Sequence, residues 1–178
     1  MVHTTPAIFT IGHSSRPLAT FLGLLAESGI QCVVDVRRLP GSRSFPHYDA
    51  DVLAESLAGQ GIDYWYVAAL GGRRSARELA GNPPETFWTN PSFARYAAYA
   101  HSEAFTDALG QLMARGAEQR CAVMCSEAVW WRCHRRIISD HLLARGVPVQ
   151  HIMGPGKTDA ASVTTGACIE AGKLIYPA

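Results

Sequence analysis

Cys121-Ala122-Val123-Met124-Cys125 is an unbroken apolar run that stops at Ser126-Glu127. A helical pattern carrying Ile137, Ile138 and Leu142 starts near Cys133 and ends before Gly146. An apolar run of strand length with no polar alternation suits a strand buried on both faces of a sheet. Such a strand needs helices above and below it, so the fold class follows from this stretch.

Four more runs of the same kind lie outward from it: Ala7–Ile11, Cys32–Val36, Tyr64–Val67 and Val147–Ile152. Helical patterns separate them. Leu18, Phe21, Leu22 and Leu25 recur at helical spacing, with Ser15 as the expected N-cap and Gly29 as the stop. Asp51 to Ala58 reads as a second helix, and Phe93, Tyr96, Ala97 and Ala100 mark a third. Ser102 caps a fourth, with Phe105, Leu109, Leu112 and Met113 on one face. Strand and helix in alternation predict an α/β fold: three layers, a mainly parallel five-stranded sheet and helices on both faces. Gly71 to Asn90 reads as a long excursion, and residues 154–166 as a loop. Ala167–Ile169 and Leu174–Tyr176 are expected to form a small C-terminal hairpin.

The chain has 178 residues, which suits one domain over 1–178. Hydrophobic residues make up 48% and charged residues 17%, excluding a disordered chain or a coiled coil. The net charge of +1 supplies no global field toward nucleic acid or membrane, so a basic site must be local. Fourteen of the sixteen basic residues are arginine. Codon bias explains that as well as bidentate oxyanion recognition does. The start MVHTTPAIFTIGHS lacks a basic n-region, no stretch approaches a membrane span, and the five cysteines are odd in number. The expectation is a cytoplasmic protein with reduced thiols and no membrane partner.

In open α/β sheets, ligands bind outside the carboxyl ends of the strands. Those ends collect His13, Ser14 and Ser15; Asp35, Arg37, Arg38 and, just beyond, Arg43; Gly71, Gly72, Arg73 and Arg74; and Cys125, Ser126, Glu127, Trp130, Trp131, Arg132, Cys133, His134 and Arg135. A buried sheet does not require reactive side chains there. The expected catalytic residues are Cys125, Glu127, His134 and Cys133: a thiolate near a helix start, an imidazole as acid or base, and a carboxylate to orient or take a proton. His13, Ser14, Asp35, Arg37, Arg43, Gly71, Gly72, Trp131 and Arg135 are the expected substrate-binding residues. Bland roles compete with each: a core thiol for Cys125 or Cys133, a lid over the core for the tryptophans, a hold on Arg37 for Asp35. Cys32, Cys121 and Cys168 read as structural, and His3, His47, His101 and His141 as background.

No cofactor is expected. The Cys-x2-Cys zinc pattern is absent, and Cys125 to Arg132 is one residue too long for a cysteine-phosphatase loop. Cys125, Cys133 and His134, with His13 as fourth ligand, form a conceivable zinc set. Neighbouring residues on a helix diverge by about 100°, however, which argues against Cys133 and His134 sharing an ion.

Thr10-Ile11-Gly12-His13-Ser14, Asp35-Val36-Arg37-x2-Pro40-x-Ser42-Arg43, Leu70-Gly71-Gly72, Phe93-x2-Tyr96-x2-Tyr99 and Met124-Cys125-x-Glu127-x5-Cys133-His134-Arg135 together resemble a bacterial family, domain of unknown function 488. The resemblance runs from about residue 8 to 176 and includes His151-Ile152. Trp130-Trp131 departs from it, standing where that family carries a less aromatic stretch. The resemblance implies a compact α/β domain and a site, with no activity attached.

Three functions follow from the residues. The preferred one is an enzyme, a hydrolase or transferase, acting on a small phosphorylated molecule or a nucleic acid through the Cys/Glu/His/Arg site. The second is a non-catalytic nucleic-acid-binding module, with Arg37, Arg38, Arg43, Arg73, Arg74, Arg77 and Arg135 on one face and Trp88 or Trp131 stacking on bases; its salt slope on single strands would be near −4 for about six phosphate contacts. The third is a thiol redox or metal sensor using Cys125 and Cys133.

Overall fold

A computed structural model describes residues 4–79, 81–83 and 85–178; His3 lies outside them. Five strands follow the apolar runs: β1 (Ile8–Gly12), β2 (Cys32–Asp35), β3 (Asp63–Tyr66), β4 (Cys121–Cys125) and β5 (Val149–Gly154). They pair in parallel, and β6 (Lys157–Ala160) adds an antiparallel edge, giving the order β3-β2-β4-β1-β5-β6. The sheet therefore has six strands, one more than the sequence predicts. The extra strand lies within the segment read as a loop. It carries Lys157-Thr158-Asp159-Ala160, mostly exposed, and an edge strand so placed needs no apolar run. A second sheet is the expected hairpin, β7 (Cys168–Glu170) with β8 (Lys173–Ile175).

Helices α1 (Leu18–Glu27) and α2 (Ala50–Ala58) pack on one face, burying Phe21, Leu24, Leu25, Leu53 and Leu57 against Ile11, Val33 and Met124. Helices α3 (Pro91–Tyr99), α4 (Glu103–Glu118) and α5 (Arg135–Ala144) cover the other. There Tyr96, Phe105, Leu109, Leu112, Ile137 and Leu142 join Val34, Val123 and Ile8. Each face buries one hydrophobic cluster, so the three-layer reading holds.

Two helix starts matter for the site. The N-cap of α1 is Pro17, not Ser15, and no side chain caps it. Ser14 turns the chain at φ 49°, and the pyrrolidine ring then leads into the helix. Helix α5 begins at Arg135, because a single helical turn, Trp130–Arg132, and an extended Cys133 (φ −129°, ψ 150°) precede it. Among the described residues, no helix is long and apolar enough to cross a membrane.

Candidate active site

Strands β1 and β4 lie side by side at the sheet centre, with Gly12 opposite Cys125. Beyond them the chains stay together: the His13 amide donates to the Cys125 carbonyl and the Ser14 amide to that of Ser126. A Cβ on Gly12 would sit 1.8 Å from the Glu127 carbonyl oxygen, so this approach requires glycine. The carboxyl ends open into a cleft of about 810 Å³.

Cys125, Cys133, His134, His13 and Arg37 line the cleft, and all but half-buried His134 are buried. Arg38, Arg73 and Arg132 also line it and are exposed, as is Glu127, the one carboxylate among the lining residues. Ser14, Ser42, Ser44, Asn90 and Ser92 add hydroxyl and amide groups, and Phe45, Phe93 and Tyr96 add rings. Arg38 pairs with Glu78. Arg73 and Arg132 enter no ion pair among the described residues. Arg73 also holds a left-handed backbone (φ 54°), a strained state for a non-glycine residue.

Two further guanidiniums are buried. Arg37 is gripped by Asp35, whose carboxylate takes Nε and Nη2 at 2.8–3.2 Å and the Tyr64 hydroxyl at 2.6 Å. Arg37 Nη1 lies 3.5 Å from His13 Nε2. The His13 Nδ1–H donates to the Ser14 carbonyl at 2.8 Å, and the ring stacks on Tyr48. Burial, with Arg37 adding to it, lowers the His13 pKa to about 4, so the ring is neutral.

Arg135 lies 1% exposed beneath the cleft rather than in it. It donates to the Glu127 carbonyl at 2.6 Å and to Thr10 Oγ1 at 3.4 Å. Its Nε and its backbone amide both point at Cys133 Sγ, at 3.3 and 3.4 Å. Among the described residues no carboxylate pairs with it. A buried guanidinium needs a counter-charge, and the Cys133 sulfur occupies that place. Burial alone would raise the Cys133 pKa; a hydrogen bond from Cys125 and the Arg135 charge bring it down to about 6. Cys125 is pushed up to about 12 by the same sulfur contact and by burial.

His134 is oriented from the opposite side. Its Nε2 donates to the Val36 carbonyl at 3.0 Å, which leaves Nδ1 as the bare nitrogen, 3.6 Å from Cys133 Sγ. Gly72 keeps that pole clear: a Cβ there would lie 2.8 Å from Nδ1.

The cleft thus gathers His13, Ser14, Arg37, Gly72, Cys125, Glu127, Cys133 and His134 of the expected residues. Asp35 and Gly71 lie behind its wall, and Arg43 is exposed outside it. Trp131 is 43% exposed and turned away, and Trp130 stacks on His151 at 4.5 Å instead of facing the cleft. Arg132 and Arg73, strand-end residues not counted among the expected substrate-binding set, also line the cleft, next to Cys133-His134 and Gly71-Gly72. Cys32 and Cys121 are fully buried, neighbours on β2 and β4.

Fold and cleft define an α/β domain with a polar site at the carboxyl edge of its sheet. The chain belongs to the family described as domain of unknown function DUF488, whose sequence profile matches residues 17–142. No curated protein and no solved structure matches the chain.

Proposed function

We propose that the protein is an enzyme, a hydrolase or transferase, that takes a phosphate-bearing substrate, nucleotide or nucleic acid, into this cleft. The observation that carries the reading is charge. Arg73 and Arg132 have no ion-pair partner among the described residues, Arg38 is only partly engaged, and Glu127 is the single acid opposite them. Guanidiniums left unpaired around a concave wall favour a dianionic group that accepts bidentately. On the floor Cys125, Cys133 and His134 form the reacting centre, and exposed Glu127 at the rim is the group suited to moving a proton. Phe45 and Phe93 offer apolar faces to the rest of a nucleotide.

Titration of the protein with a nucleoside monophosphate at low salt tests this. Each of Arg73→Ala and Arg132→Ala should weaken binding about 10-fold or more, the value of a charged hydrogen bond. Glu127→Gln should keep binding and lose turnover. The three exposed cleft arginines, Arg38, Arg73 and Arg132, predict a salt slope of about −2 on a single strand. A steeper slope without turnover would favour the non-catalytic nucleic-acid module. Affinity untouched by either arginine change would remove the phosphate reading.

A further inference from the structure

We propose that Cys125, Cys133 and His134 form a three-ligand site for zinc, with the fourth coordination position open to the cleft. Their donor atoms lie within 4.8 Å of one another. Zinc bonds of about 2.3 Å to sulfur and about 2.0 Å to nitrogen, at a tetrahedral angle, place the two donors about 3.5 Å apart. Cys133 Sγ and His134 Nδ1 are 3.6 Å apart. The divergence expected of neighbours on a helix does not arise, because Cys133 is extended and α5 starts two residues later.

The surroundings are those of a ligand set. Histidines that bind metal donate their other ring N–H to a carbonyl or carboxylate, which fixes the tautomer. His134 does this through Nε2 to Val36. Arg135 donates two N–H groups to Cys133 Sγ and offsets thiolate charge from behind. Gly72 leaves open the space that a Cβ would take beside Nδ1. Two sulfurs and an imidazole favour a thiophilic ion over magnesium or calcium. Both sulfurs bind as thiolates, and the displaced protons go to solvent.

His13 is not the fourth ligand. Its Nδ1 is committed to the Ser14 carbonyl and its Nε2 faces Arg37. A three-ligand protein set with an open position is the arrangement of catalytic zinc, which holds water or a substrate oxygen. The reacting group in the cleft would then be a zinc-bound water rather than a sulfur, with Glu127 taking its proton. The metal site itself rests on the three side chains alone and not on the phosphate reading.

The test uses the full chain, stripped with chelator, with the metal alone as probe. One equivalent of zinc should remain after desalting. Cobalt in its place should give a thiolate charge-transfer band and visible bands of tetrahedral intensity. Cys133→Ser and Cys125→Ser should lose both bands. Cys168→Ser, outside the cleft, should keep them. Because a serine variant can misfold, Gly72→Ala supplies a second check: with circular dichroism unchanged, it should weaken zinc about 10-fold or more. Substoichiometric zinc in the wild type would overturn the proposal. So would cobalt bands without a sulfur component, or bands unchanged in folded Cys133→Ser. Nucleotide affinity that survives chelation would keep the phosphate reading while leaving these metal outcomes to decide the zinc site.

Discussion

Arg37 and Arg135 sit two residues past a strand end and at a helix start, and neither position reveals whether a guanidinium turns outward. Asp35 decides the first, by taking Nε and Nη2 of Arg37, so that it lines the cleft as a buried, already paired group. Cys133 decides the second. The type and clustering of the reactive residues were therefore legible in the sequence, while the division between guanidiniums that face the cleft and those that anchor it was not. It depends on partners that only the fold supplies. Removing Asp35 should leave Arg37 as an uncompensated buried charge. Asp35→Ala should lower the unfolding free energy by about 3–5 kcal/mol in a urea titration, the usual cost of breaking a buried pair from one side. A loss below 1 kcal/mol, on the order of an exposed pair, would mean that the pair is not buried in solution. Gly12→Ala should fail more severely, because its Cβ meets backbone rather than a flexible side chain.

At the scale of elements, the apolar runs revealed every buried strand because a strand covered on both faces has no polar side to break the pattern. The edge strand β6 stayed hidden for the opposite reason: its residues face solvent and pair on one side only. Caps were legible where a side chain does the work. Ser102 Oγ accepts from the Phe105 amide at the start of α4, as its place before an amphipathic run predicts. Ser102→Ala should cost about 1 kcal/mol of stability, seen as a lower urea midpoint at unchanged slope. Ser15 met the same rule in sequence and does not cap α1, because Pro17 stands at the N-cap. The start of α5 is the most consequential difference. A helix begun at Cys133 would splay the thiol from the imidazole, whereas the extended residue in its place brings them together.

The whole molecule carries several histidines that folding keeps neutral. Burial lowers His141 to about 3, with Arg145 and His101 adding to it, and lowers His151 to about 4, with Arg135 adding to it. Both lie below the ordinary 6.5, so the unfolded chain takes up protons first. Stability should be full above pH 6.5 and fall as pH drops from there toward 4, by up to about 1.4 kcal/mol per pH unit for each histidine. Urea titrations at pH 7.5, 6 and 5 check this; equal midpoints would show that the imidazoles are already solvated. The cleft is likewise a property of the whole molecule, since the segments after β1, β2 and β3, the end of β4, the first turns of α3 and the turn before α5 each contribute to its lining. Its claim to bind phosphate is tested most directly by a crystal structure of the protein soaked with a nucleoside monophosphate. The phosphate should be found within hydrogen-bonding distance of the Arg73 and Arg132 guanidiniums, above Cys125 and Cys133. A nucleotide bound elsewhere, or a cleft that stays empty at saturating concentration, would contradict the account.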